Sequence, residues 1–195
     1  MTAKKHLNFD SLRQEFSDLL YQTDDPRQKT KVGYKLHDIV MSGFACMFLQ
    51  CPSLLEFQRR MSGWFGRNNL QTQFRITDTP ENTAMRDCLD KVDSQLFSPL
   101  FKNYLTRLQR GNQLKQYQFL QGMYLLPMDG TEYFSSKDIS CNCCLQTPSR
   151  TGVVTYSHKV VQAAIVHPGI KQVIPLMPEA ICNTDGSEKQ DCEIN

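Results

Sequence analysis

The hydrophobic period of this chain changes near residue 120, and that change constrains its fold more than any other feature. Before it, apolar residues recur at three- and four-residue spacing, the signature of half-buried helices. After it, β-branched residues cluster and partly alternate, as they do in strands. A run of helices followed by a run of strands reads as an α+β architecture.

The first helical stripe is Phe9, Leu12, Phe16, Leu19 and Leu20, opened by Asp10 and broken at Thr23-Asp-Asp-Pro26. Leu36, Ile39, Val40, Met47, Phe48 and Cys51 form a second, and Leu54, Leu55, Phe57 and Met61 a shorter third beyond Pro52-Ser53. Thr79-Pro80-Glu81 reads as a helix start, with a capping hydroxyl, proline at the first helical position and an acid in the first turn. Met85, Cys88, Leu89 and Val92 face that helix inward. Asp93 reads as the cap of the cleanest stripe, Leu96 to Leu108, with Gly111 as its stop.

Three strands are expected beyond residue 120. Gly122–Asp129 is the first, with Pro127 placing it at an edge or strand end. Val153–Val166 is the second, and the short stretch around Val173-Ile174 the third. With no helix between them they predict an antiparallel meander. Ser187 and Gln190 stand at capping-box spacing, predicting a helix from Glu188 onward. The expected division is a helical region 1–120 and a β region 121–195.

Charge separates along the same line. Residues 1–120 hold 17 Lys+Arg against 12 Asp+Glu, and residues 121–195 hold 5 against 8. A basic first part and an acidic second part suit an anion-binding module joined to a carboxylate-bearing one. Arg59 and Arg60, close to Trp64, Phe65 and Arg67, combine cations with aromatics as a nucleic-acid face does. The same residues also fit a solvated helix face with its aromatics turned inward.

No apolar run approaches the roughly 20 residues of a membrane helix, and Met1 is not followed by a signal-peptide core. A soluble, cytoplasmic protein without membrane partners is expected. In a reducing compartment the eight cysteines are buried thiols or metal ligands. Cys46, Cys51 and Cys88 fall in helical stripes and read as core. Cys141 and Cys144 form a C-x-x-C pair with His158 downstream, a set that suits tetrahedral Zn²⁺. Cys182, Cys192 or His167 offers a fourth ligand. His6 and His37 stand alone and read as surface or helix-face residues. Asp129, followed by Gly130-Thr131, fits either an Asp-Gly hairpin turn or a metal-binding carboxylate at a strand end.

Leu126-Pro-Met-Asp-Gly-Thr-Glu-Tyr-Phe-Ser-Ser136, Cys141 and Cys144, Tyr156-Ser-His158 and Glu188-Lys-Gln-Asp-Cys-Glu193 resemble the catalytic domain of bacterial insertion-sequence DDE transposases. Gln50-Cys-Pro-Ser-Leu-Leu-Glu-Phe57 and Arg67-Asn-Asn-Leu70 resemble the helical N-terminal region of the same group. The resemblance spans nearly the whole chain. It implies an RNase H-like catalytic fold, with Asp129 as the first acid of a triad that holds Mg²⁺ or Mn²⁺. It also implies DNA, the transposon ends, as partner, and a bacterial, nucleoid-associated location.

In that fold the second acid follows a third strand, a helix and a fourth strand. Only 18 residues follow Met177, whereas a helix takes about 11 and a strand about 5 before connections are counted. Glu179, Asp185, Glu188, Asp191 and Glu193 match neither later position, so a truncated transposase with one acid is expected. Its incomplete sheet would leave Val160, Val161, Ile165, Ile174 and Leu176 exposed and favour self-association. The other reading is a stand-alone helical DNA-binding or regulatory protein with a small zinc-stabilised β unit.

Overall fold

The computed structural model describes residues 5–27 and 32–182. The helix expected from Glu188, with Asp185, Asp191, Cys192 and Glu193, lies outside them, as do Lys29 and Lys31. Among the described residues the protein is α+β, with six α-helices in the first part and antiparallel sheets in the second. The chain divides into two compact units after Gly111, ahead of the change of period.

In the first unit, α1 (Phe9–Gln22) starts at the first residue of its stripe, two residues earlier than a cap at Asp10 implies. Asn8 is the cap, its side chain accepting from the Ser11 N–H at 2.8 Å, and Asp10 sits in the first turn. The central helix is α2 (Leu36–Phe48), with ten of its thirteen residues buried. A helix apolar nearly all round must be enclosed, and the others enclose it. Cys51 lies past its end, half-buried against the same core that holds Cys46 and Cys88.

Ser53 caps α3 (Leu54–Met61), its Oγ accepting from the Glu56 N–H at 3.1 Å. A two-residue corner, Ser62-Gly63, leads directly into α4 (Trp64–Phe74). That corner needs glycine at 66, since a Cβ there would stand 2.6 Å from Met61 Cα. No apolar stripe announced α4, because its first two residues, Trp64 and Phe65, face solvent while only Leu70 and Phe74 are buried.

Two helix starts differ from expectation. Thr79-Pro80 precedes α5 (Asn82–Leu89) without capping it. Pro80 is fully buried, and the Asn82 N–H goes instead to Gln58 Oε1 at 3.2 Å. Asp93 caps a short 3₁₀ turn, Ser94–Phe97, by accepting from Gln95 N–H. Only then does α6 (Ser98–Arg110) begin, with Pro99 in its first turn. α6 is tied to α1 through Tyr104, whose hydroxyl donates to Leu12 O at 2.7 Å, and through Arg107, paired with Glu15 at 2.6 Å. Burial, reinforced by the Glu15 charge, pushes the Tyr104 pKa up to about 12.

The second unit opens with a 3₁₀ turn, Leu114–Tyr117, and a minimal ribbon of β1 (Gln118–Phe119) and β2 (Met123–Tyr124). The main sheet contains β3 (Met128–Ser136), β4 (Leu145–Pro148), β5 (Val154–His167), β6 (Ile170–Pro175) and β7 (Glu179–Ile181). Every other strand of it pairs antiparallel with the fourteen-residue β5. β3 follows one edge, with Met128 opposite Ala163 and Ser136 opposite Tyr156. The other edge is shared end to end by β4, β7 and β6.

The expected three-strand meander is therefore present within a larger arrangement, since β4 and β7 were not foreseen. The first strand is also displaced. Gly122–Asp129 is not one strand, and Asp129 does not close it. Asp129 is the second residue of β3 and faces Gln162, while Gly130 pairs with Val161 in mid-ladder, so the Asp-Gly hairpin turn does not exist. Pro127 still marks a strand boundary, just before β3.

Candidate metal centre and basic corner

The β3–β4 connection returns to β5 at His158. Ser136 organises its start, its Oγ accepting from the N–H groups of Asp138 and Ile139. Cys141 and Cys144 close a turn, with the Cys144 N–H donating to Cys141 O at 3.2 Å. Both thiols then converge on one imidazole nitrogen. Cys141 Sγ lies 3.2 Å and Cys144 Sγ 3.3 Å from His158 Nε2, and the two sulfurs are 3.6 Å apart.

Zinc–sulfur bonds of about 2.3 Å and zinc–nitrogen bonds of about 2.0–2.1 Å give tetrahedral edges of roughly 3.5–3.8 Å. The sulfur–sulfur edge matches, and the two sulfur–nitrogen edges are a few tenths of an ångström short. Three ligand atoms thus outline one face of a zinc tetrahedron, and they are the one such group among the described residues. Tyr133 stacks on the His158 ring at 5.8 Å and Phe134 tilts against it at 5.6 Å, fixing its orientation. Ile139 and Ser140 complete the lining of a hollow of about 310 Å³.

The neighbouring thiols disfavour ionisation of Cys144. A hydrogen bond from the Cys141 N–H favours the Cys144 thiolate, but burial and the neighbouring Cys141 and Cys143 outweigh it and push its pKa up. Burial, then the charges of Cys141, Cys182 and Cys144, push the Tyr133 phenol up as well. A bound cation inverts this balance, because metal ligation deprotonates thiols outright.

The other sites separate. Asp129 is exposed on β3, and among the described residues no second or third acid joins it in a metal-binding group. Glu132, on the same strand, is turned to Lys159 at 3.8 Å. The described residues therefore do not fit a Mg²⁺ or Mn²⁺ pair, which needs several oxygen ligands around ions about 4 Å apart. His167 does not reach the cysteines' group. It lies nine positions along β5, where its Nδ1 accepts from the Gly169 N–H at 3.0 Å.

Arg59 and Arg60 end α3, Arg67 lies in the first turn of α4, and all three are exposed around the Ser62-Gly63 corner. Trp64 and Phe65 project there with 74% and 77% exposure, edge to face at 5.0 Å. The aromatics are not turned inward.

A buried Ser17–His37–Asp38 chain went unrecognised in the sequence. Ser17 Oγ meets His37 Nε2 at 2.8 Å, and His37 Nδ1 meets Asp38 Oδ1 at 3.0 Å. The order is that of a hydrolytic triad, but Ser17 is fully buried and Tyr21 stacks on the imidazole at 4.2 Å. No substrate reaches it, so the chain serves packing. The signal was present: His37 and Asp38 interrupt an otherwise apolar helix that has no polar face.

No described helix is long and apolar enough to cross a membrane. Compared with protein-family models, curated proteins and solved structures, the chain matches none.

Proposed function

We propose that this chain is a DDE transposase of the insertion-sequence type that binds DNA through its helical unit and carries the opening strands of an RNase H-like domain. The observation that carries this reading is the run β3–β5–β6, consecutive neighbours in an antiparallel sheet with the longest strand in the middle and Asp129 at the head of the first. The sequence motifs supply the family, and that sheet order is the one the family's fold begins with. Asp129 takes the role of first catalytic acid. Cleavage is not assigned to these 195 residues, because a single carboxylate does not position two metals. Cys141, Cys144 and His158 take a structural Zn²⁺ that pins the β3–β4 loop to β5.

DNA contact is assigned to the corner of Arg59, Arg60 and Arg67, with Trp64 and Phe65 available to stack on unpaired bases. Phosphate contacts weaken with salt by counterion release, about one ion per neutralised phosphate. In an electrophoretic or anisotropy titration, affinity for duplex ends should fall steeply as salt rises. Changing Arg59, Arg60 and Arg67 to Gln should flatten that slope by two to three ions. An unchanged slope in the triple variant sinks the assignment of the corner. Cutting of DNA by the wild-type chain in Mg²⁺, lost in Asp129→Ala, sinks the claim that these residues do not cleave.

A second reading is a stand-alone DNA-binding or regulatory protein, favoured by the Cys141–Cys144–His158 group, which stabilises a small β unit without any catalysis. Coding DNA downstream of Asn195 separates the two. An aspartate on a later strand and a glutamate on a later helix would select the transposase.

A further inference from the structure

The zinc group supplies three ligands, and the sheet itself indicates where a fourth comes from. β4 and β7 lie on the same edge of β5, and the break between them has a defined position. In β4 the register sets Leu145 opposite Ser157, so Cys144 enters the sheet at the row of His158. In β7 the register sets Ile181 opposite Lys159, so Cys182 leaves the sheet at that same row. One strand therefore begins and the other ends at His158, each with a cysteine at the junction.

Residues directly opposite in an antiparallel pair share a face, with Cβ atoms about 4.5–5.5 Å apart. The next position beyond Ile181 thus falls on the His158 face of the sheet. Cys182 is free and exposed, within electrostatic range of the Tyr133 ring that stacks on His158. Its sulfur is outside the close group of three, leaving it the ligand that must turn inward when metal arrives.

We propose that Cys182 is the fourth zinc ligand, completing a Cys₃His site that joins the end of β7 to the start of β4 across the break in the sheet edge. The inference rests on the three-ligand zinc reading and extends it. Closed tetrahedral coordination by cysteine and histidine is the form of structural zinc sites, whereas three protein ligands leave a position open. With Cys182 bound, the metal links the β3–β4 loop, β5 and β7. The sheet edge then becomes continuous through the ion where backbone pairing lapses.

The full chain, reduced and metal-free, should be titrated with Co²⁺ and then competed with Zn²⁺. Wild type should bind one equivalent with the visible spectrum of a tetrahedral site and a sulfur-to-cobalt charge-transfer band. Cys182→Ser should keep binding but lose about a third of that band, as three thiolates become two. Its zinc affinity should fall by more than the roughly 10–100-fold that losing an outer-shell partner costs. Cys143→Ser, from the same loop, should match wild type. A Cys182→Ser spectrum and affinity equal to wild type overturn the fourth ligand while leaving the three-ligand site standing. The same holds if Cys192→Ser shows the loss instead. Absence of metal binding by wild type overturns both. Circular dichroism of each apo variant, compared with apo wild type, separates lost ligation from failure to fold.

Discussion

Asp38 accepts four hydrogen bonds, from His37 Nδ1, the Thr77 N–H and hydroxyl, and the Asp78 N–H. Burial pushes its pKa up, but the bonds from His37, Thr77 and Asp78 outweigh burial and hold it below the ordinary carboxylate value. A depressed folded pKa contributes stability that is present above the unfolded value of about 3.9 and is lost as pH falls through the folded value. The melting temperature of the helical unit should therefore drop in acid, in that window. Asp38→Asn should cost about 1.5–3 kcal/mol at neutral pH, the scale of hydrogen bonds to a charged group, and should remove part of the acid-dependent loss. A variant melting like wild type with the same acid profile would contradict this. The network was only half legible. The odd polar pair in α2 was visible in the sequence, but Ser17 and Thr77 are 20 and 39 residues away in sequence from their partners and no local spacing links them.

At the scale of elements, periodicity identified those with one clean apolar face and missed those whose burial is decided by neighbours. α1, α2, α3 and the body of α6 follow from their stripes. α4 does not, since its aromatic residues point outward and its corner is set by the backbone contact that Gly66 allows. β4 and β7, four and three residues long, are too short to show alternation and exist because β5 offers them a partner. The C-x-x-C pair and His158 were legible as ligands, whereas the shared row of Cys144 and Cys182 required the register. Metal in this site should act on the element that carries it. In hydrogen exchange, a zinc chelator should speed exchange of the amides in residues 137–145 and around His158. The helices α1–α6 should stay unchanged. Equal effects on both units, or none, would remove the structural role of the site.

The whole molecule is uneven in how it buries its apolar surface. The helical unit encloses a cluster of fourteen buried residues centred on α2 and ringed by Phe9, Phe16, Phe44 and Phe97. In the β unit, Leu114, Tyr117, Leu145 and Ile165 are the buried apolar residues among those described. Of the residues expected to be exposed, Val160, Val161, Ile174 and Leu176 are half-buried and Ile165 is buried; two residues outside that set, Met128 and Val173, are 61% and 57% exposed. At about 25 cal/mol per Å² of apolar surface, the second unit gains far less from burial than the first. Denaturant melts followed by circular dichroism should resolve two transitions. The earlier one, from the β unit, should move up with added Zn²⁺, and the later one should not respond. One transition shifting as a whole would show that the units stabilise each other.

The dependence of the whole sheet on β5 also sets an order of events during synthesis. β3 is complete at Ser136, yet its partners are residues 156–163, so it leaves the ribosome 20 to 35 residues ahead of the backbone it must pair with. β4 waits a shorter time, its partners lying 6 to 12 residues on. The β5–β6 hairpin closes across Pro168-Gly169 as soon as both arms exist. Short loops close at lower entropic cost than long ones. The nascent sheet therefore begins at β4 and the start of β5, the pair completed first, and the strand bearing Asp129, made before either, must wait for a partner not yet synthesised.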